Sequence, residues 1–315
     1  MNELYLKWFL FQTISDQEET EARLSHLKAR FILERTPSHL YLAAPSSASV
    51  SFPESPRLNP SLSEVVFGVA THLHIGTSGW AYPHWQGHFY PRSIRAENRL
   101  SYYASQFDTV ELNNSFYALP RPELLLRWKA AVPPDFCFAV KASREITHRR
   151  RLRNAGVPLV GLLRAVEVLD EKLGPILFQL PPGFPMDAPL LAEFLALLPR
   201  TLRCAFEFRD PGWWRQEVYD LLARHGIAFC LFDLAGKAAP LEMTADFAYV
   251  RLHGAIKAYH DRYPADVLRA WAEQVANWRS TGRDVYFYFD NTEKGDAAHD
   301  ALELRRLLTA DTLAI

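Results

Sequence analysis

The sequence predicts an α/β protein: a (β/α)8 TIM barrel with a poorly structured N-terminal extension. Three observations predict it. Between positions 73 and 290, eight short runs rich in β-branched and aromatic residues alternate with segments of helical spacing. The repeat occupies about 240 residues, the usual span of one such barrel. The first strand is followed by GTSGWAYPHW, which lacks the glycine fingerprint of the open doubly wound sheet, the competing architecture.

Taken in order, the chain opens with an appendage, 1–72, and continues as the barrel domain, 73–315. Within the appendage, 14–34 is charged with the spacing of a short helix, and 43–64 is a Pro/Ser-rich linker with no hydrophobic period. The appendage reads either as a partner-binding or regulatory arm or as a translated upstream region without a role; the second is preferred. Poor solubility or lost activity after deleting 1–70 would reverse that preference. The strands follow at 73–77, 109–113, 137–142, 175–180, 203–208, 228–233, 247–253 and 284–290. Helical spacing fills 100–107, 123–132, 159–173, 188–198, 218–225, 267–279 and 297–308. Asp187 is placed to cap the fourth of these helices, and Gly226 to end the fifth, which reads as 214–225 in full. Only 234–246 lacks a convincing helix.

Composition bounds the function. The 315 residues are 49% hydrophobic and 23% charged, which excludes disorder and fibres. A net charge of −1 gives no basic field for a polyanion. Three cysteines, Cys137, Cys204 and Cys230, are too few for a disulfide framework; they fit buried packing in a reducing cytoplasm. No apolar run is long enough to span a membrane, and Met1–Gln12 lacks a cleavage site, so the expectation is a cytoplasmic protein without a signal peptide or membrane partner.

Sites on this fold form at the carboxyl ends of the strands. There the sequence places Glu111 with Asn113, Lys141 with Ser143, Gln179, Glu207 with Arg209, Asp233, Arg251 with His253, and the pair Asp290 and Asn291. Side chains two apart share a face. Apolar residues would hold the barrel together as well or better than ionic pairs, so a ligand site is the preferred reading, with mutual salt bridges as its structural rival.

The stretches GTSGW (76–80), HFYP (88–91), VELNNSFY (110–117), KASREITH (141–148), GPILFQLPPGF (174–184), AFEFRDPGWW (205–214) and YVRLHG (249–254) resemble the YecE-like family, domain of unknown function 72. The resemblance covers about 73–309. It implies a TIM barrel and no established reaction; the family's likeness to sugar-isomerase and endonuclease-IV-type barrels is fold analogy alone. Carried over by position, it marks Glu111, Asn113, Lys141, His148, Gln179, Glu207, Arg209, Arg251 and His253. This chain departs from the family pattern at 290–292, where Asp-Asn-Thr replaces an Asn-Asn-Asp run.

The constellation predicts acid/base groups Glu111, Glu207, Lys141, Asp233 and His253, with Asn113, His148, Gln179, Arg209, Arg251, Trp80, Tyr82 and Asn291 as ligand contacts. Three cations suit a small phosphorylated or carboxylated, hydroxyl-bearing ligand, and a lysine of lowered pKa can form a Schiff base. No metal site or cofactor is predicted. A divalent metal held by the carboxylates and His253, as in a phosphoesterase or nuclease, is the alternative that the cations oppose. A non-catalytic metabolite- or protein-binding module needs the same pocket without turnover. Five arginines between 144 and 153 raise nucleic acid as a lesser partner. Trp80, Tyr82, Trp85, Phe89 and Tyr90 either wall the pocket or cap the core. On this reading, Glu207→Gln and Lys141→Met leave the melting temperature unchanged or raised and abolish ligand-induced stabilisation.

Overall fold

The computed structural model describes residues 71–312 together with Ala22 and Ser25; the expected appendage and its linker otherwise lie outside the described residues. Eight parallel strands form the barrel: β1 (Leu73–Thr77), β2 (Thr109–Leu112), β3 (Cys137–Lys141), β4 (Leu173–Leu180), β5 (Cys204–Phe208), β6 (Ala228–Leu234), β8 (Phe247–Leu252) and β9 (Asp284–Phe289). The intervening β7 (Lys237–Ala238) is a two-residue antiparallel return on β6. It occupies the connection where no helix was expected. The hydrogen-bonded order runs β1-β9-β8-β6-β5-β4-β3-β2. The cylinder closes between β1 and β2 through a single parallel bridge, Ser78 to Glu111, with Gly79 N–H donating to the Glu111 carbonyl at 2.9 Å.

Helices α1 (Arg99–Ala104), α2 (Asn114–Tyr117), α3 (Pro122–Ala130), α4 (Gly156–Val166), α5 (Ala188–Leu197), α6 (Gln216–Arg224), α7 (Ala265–Ser280) and α8 (Asp296–Thr312) connect the strands. Asp187 caps α5 as its position predicted, accepting from Leu190 N–H at 3.1 Å. Gly226 follows α6 with φ +64°, the left-handed turn that a glycine allows at a helix end. The helix predicted over 159–173 begins earlier and stops at Val166, tightening into a 3-10 turn over Glu167–Lys172. That turn brings the buried Lys172 ammonium onto the carbonyls of Lys129 and Val132, both at 2.9 Å.

Two cores result. The outer one packs the strands' outward residues against the helices, and the inner one fills the cylinder. Inside, Leu177 and the small side chains Ala139, Ala205, Ala228 and Cys230 from β3 to β6 face aromatics from β8 and β9 (Phe247, Tyr249, Tyr286, Tyr288). Small opposite large fills the lower barrel without a channel. Polar side chains therefore begin only one layer higher, at the carboxyl ends. Among the described residues no helix is long and apolar enough to cross a membrane.

Candidate functional site

Alternation along each strand puts Tyr249, Arg251 and His253 on one inward wall of β8, and Glu207 with Arg209 on that of β5. The guanidinium of Arg251 sits at the centre with no solvent exposure. It donates to Glu111 from Nε and Nη2 (2.8 Å for Nη2 to Oε1), to Glu207 Oε2 from Nη1 at 2.7 Å, and to Asp290 Oδ2 from Nη2 at 3.3 Å. Tyr249 and Ser78 each donate a hydroxyl to Glu111 at 2.7 Å. Arg209 Nε donates to Glu207 Oε1, its Nη2 meets His253 Nε2 at 2.9 Å, and the guanidinium lies 4.9 Å over the Phe232 ring. His253 Nδ1 faces Asp290 Oδ2 at 2.9 Å.

These contacts set the protonation states. Burial alone would raise the Glu207 pKa, but Arg209 and then Arg251 hold it well below the carboxylate range. Asp290 is lowered in the same way, by the His253 hydrogen bond and Arg251 against the cost of burial. His253 itself is lowered, first by burial and then by Arg251, so its imidazole is neutral. With Nδ1–H directed at Asp290, Nε2 is left as an acceptor for the two arginines. Glu111 and Glu207 have both carboxylate oxygens occupied, and neither can take a ligand's proton without giving up a buried ion pair. In this geometry they hold guanidinium groups in place. The expected stability of Glu207→Gln changes with it, because that substitution strands two buried cations. Glu111, Glu207, Arg251 and His253 are fully buried.

On the β2–β3 side of the ring, Asn113, Lys141 and His148 are half-buried. Lys141, half-buried at the end of β3, places Nζ 4.6 Å over the Phe116 ring and makes no hydrogen bond or ion pair among the described residues. Ser115 fixes this corner: its hydroxyl donates to the carbonyls of Lys141 at 2.6 Å and Leu112 at 2.9 Å, which seats α2 and Phe116 above the lysine. The Lys141 pKa is lowered by burial and then by Arg251, against the pull of Glu207, Glu111 and Asp290. A π-helical turn, Glu145–Arg149, brings His148 to the other edge of Phe116, with ring centroids 4.9 Å apart. Such turns recur at functional sites. The His148 pKa is lowered by burial, Lys141 and Arg209. Its Nδ1 pairs with the Thr147 hydroxyl at 2.9 Å, leaving Nε2 uncommitted. Arg209 Nη1 is likewise uncommitted, and the buried Oδ1 of Asn113 takes no hydrogen bond.

Of the residues expected from sequence, Glu111, Lys141, Glu207, Arg209, Arg251 and His253 are brought together, with Asn113, His148 and Gln179 at their margin. Gln179 pairs with Glu207 in the sheet register and donates to the Leu180 carbonyl at 3.0 Å. Asp233 and Asn291 are not brought in. Each is one residue out of phase, since Phe232 and Asp290 hold the inward positions of β6 and the end of β9. Asp233 accepts from Gly236 N–H at 3.1 Å and the Tyr263 hydroxyl at 3.3 Å, with its pKa raised by burial. Asn291 ties the Asp261 carbonyl to Asp300 at 2.7 and 2.8 Å. Trp80 is buried, edge-on against Trp128 at 4.9 Å. Tyr82 stays near the rim, donating to the Ser78 carbonyl, with its pKa raised by burial and by Asp290.

In the arginine run, Arg149 and Arg150 pair with Glu145, and Arg153 pairs with Asp187. Among the described residues no group of three or more His, Cys, Asp or Glu side chains could hold a metal ion. Sequence reading missed Ser78, Tyr249, Phe116 and the central role of Asp290. Tyr249 was within reach, two positions before Arg251 on the same face, whereas Ser78 lies across the β1–β2 seam, which no local pattern reveals.

The comparisons with known proteins agree with this architecture. The family profile described as "Protein of unknown function DUF72" matches residues 74–314. The UPF0759 protein YecE of Escherichia coli K12 is 33% identical over 157 residues, 49% of this chain and 55% of that protein, so the match spans about half of that relative. UPF0759 protein YunF of Bacillus subtilis is 25% identical over 269 residues, 75% of this chain and 94% of its own. Among solved structures, a DUF72 family protein from Thermotoga maritima is similar with a TM-score of 0.68 and 29% identity, over 76% of this chain and 99% of that one. A second, from Enterococcus faecalis, is similar in fold at a TM-score of 0.63 and 20% identity, over 76% of this chain and 99% of its own. The chain belongs to the DUF72, or YecE-like, family.

Proposed function

We propose that the protein binds a small phosphorylated or carboxylated, hydroxyl-bearing molecule at the carboxyl-terminal face of the barrel, and acts on it without a metal ion. One observation carries the reading: the network commits both oxygens of Glu111 and Glu207 internally, while nitrogens of Lys141, Arg209 and His148 keep open valences. A site whose anions are satisfied and whose donors are not is matched to an anion. The partnerless Asn113 Oδ1 supplies an acceptor for a hydroxyl group, since a buried acceptor left empty costs about 1–3 kcal/mol. In this arrangement Arg209 orients the anionic group. Lys141, with neutral His148 beside the shared Phe116 ring, handles protons, and the Glu111–Arg251–Glu207 core keeps the donors aimed.

The test is a thermal-shift screen of the full chain with pyrophosphate, di- and tricarboxylates and sugar phosphates, followed by a search for product with each stabilising compound. A ligand at a hundred times its Kd adds about 2.7 kcal/mol. The expected result is a shift of several degrees that Lys141→Met removes. No shift with any anion, or an equal shift in the variant, would refute the reading.

A further inference from the structure

We propose that Lys141 is a covalent catalytic group: its Nζ condenses with the carbonyl carbon of an anionic aldehyde, ketone or 2-oxo acid to form a Schiff base. This rests on the anion-binding reading above and narrows its ligand class.

The geometry points to it by contrast. Among the described residues Lys172 and Lys141 are both withdrawn from solvent, and they are treated differently. Lys172 is buried with its ammonium on two carbonyls, the arrangement of a structural cation. Lys141 carries its amine to the top of the barrel interior and has neither carbonyl nor carboxylate partner, although Glu111, Glu207 and Asp290 belong to the same ring. Those acids are taken by Arg251 and Arg209. What Nζ meets instead is the Phe116 face, at 4.6 Å. An amine withdrawn from water beside a buried guanidinium is favoured in its neutral, nucleophilic form. β3 and the Ser115 hydrogen bonds hold its backbone rigid, which fixes the line of attack.

The step balances without an oxidant or reductant. The Nζ lone pair attacks the carbonyl carbon, a C–N bond forms, and the C=O π pair moves to oxygen, which takes a proton to give the carbinolamine. Loss of that hydroxyl as water, with the nitrogen lone pair closing the C=N bond, gives the protonated imine. The neutral imidazole of His148, with Nε2 uncommitted, is placed to relay these protons. The imine cation disperses its charge and is less strongly hydrated than an ammonium, so the half-buried position favours it. Arg209 Nη1 remains for the ligand's anionic group.

Wild type and the variants K141R and K141M, full-length and checked for cooperative melting, are incubated with glyoxylate, pyruvate or dihydroxyacetone phosphate in the presence of sodium cyanoborohydride, and the adducts are mapped by peptide mass. The expected result is one adduct per wild-type chain at Lys141, formed faster than at any surface lysine and missing from both variants. Labelling spread over surface lysines at equal rates in wild type and K141R would overturn the proposal. Pyrophosphate separates the two readings. A lysine-dependent thermal shift with no Lys141 adduct from any carbonyl probe defeats the covalent step and leaves anion binding standing; neither shift nor adduct defeats both.

Discussion

Lys141 and Arg251 face the same ring and titrate against the same neighbours, yet they have opposite duties. Arg251 is surrounded by Glu111, Glu207 and Asp290, and its pKa is pushed further up by them in spite of burial. Lys141 is lowered, because burial and Arg251 outweigh the same three acids acting from farther off. The consequence for stability follows from linkage. Below the folded pKa the amine is protonated in both folded and unfolded chains, and the fold bears the full cost of its burial. Between the folded value and the ordinary lysine value the unfolded chain holds a proton that the fold does not, so stability rises with pH and the cost is gone above that window. Lys141→Met therefore stabilises the protein below the lowered folded pKa, on the scale of about 1 kcal/mol for apolar replacement of a buried charge. The gain shrinks to nothing towards the ordinary lysine pKa. Urea melts of both proteins across the pH range check it; a gain that grows with pH would contradict this account.

At the scale of elements, the barrel is weakest in backbone pairing where β1 meets β2, and the close approach there depends on Gly76. A Cβ at this position would sit 2.3 Å from the Thr109 carbonyl oxygen and 2.9 Å from the Tyr103 hydroxyl. Gly76→Ala must push the strands apart, and it is expected to cost about 1–3 kcal/mol or more, as overpacking does. Amide exchange at Gly79, whose N–H crosses the seam to the Glu111 carbonyl, should accelerate selectively, while exchange across β4–β5 is unchanged. Uniform acceleration would mean that the seam has no special role.

The strands themselves were legible because the inside of a barrel imposes a period of two and the outside demands apolar residues. Arg251 with His253 and Glu207 with Arg209 stood out for that reason. The phase was harder to read at strand ends. In β6 the small residues Ala228 and Cys230 fix Phe232 inward, and Asp233, the conspicuous charge, turns out to the Tyr263 loop. In β9, Tyr286 and Tyr288 fix Asp290 inward in the same way and leave Asn291 outside. A charged residue draws the eye more than its parity does. The pairing of Arg251 with Glu111, 140 positions apart, has no local signature at all.

For the molecule as a whole, the carboxyl-terminal end of the barrel divides into two halves with different physics. One is a buried ionic plug, Glu111, Arg251, Glu207, Arg209, His253 and Asp290, which seals the cylinder above its aromatic filling. The other is the Lys141, His148 and Asn113 edge, where polar groups are held without partners. Uncompensated groups are costly, and the proposed ligand would complete them at this edge. Melting temperatures of Glu207→Gln and Lys141→Met at neutral pH, measured side by side, test this division most directly. Leaving two buried guanidinium groups short of a carboxylate should cost about 3–5 kcal/mol, or about 10 °C for a domain of this size. Removing the unpaired amine should leave the melting temperature unchanged or raise it. Equal losses in the two variants, or a glutamine variant as stable as wild type, would contradict the account.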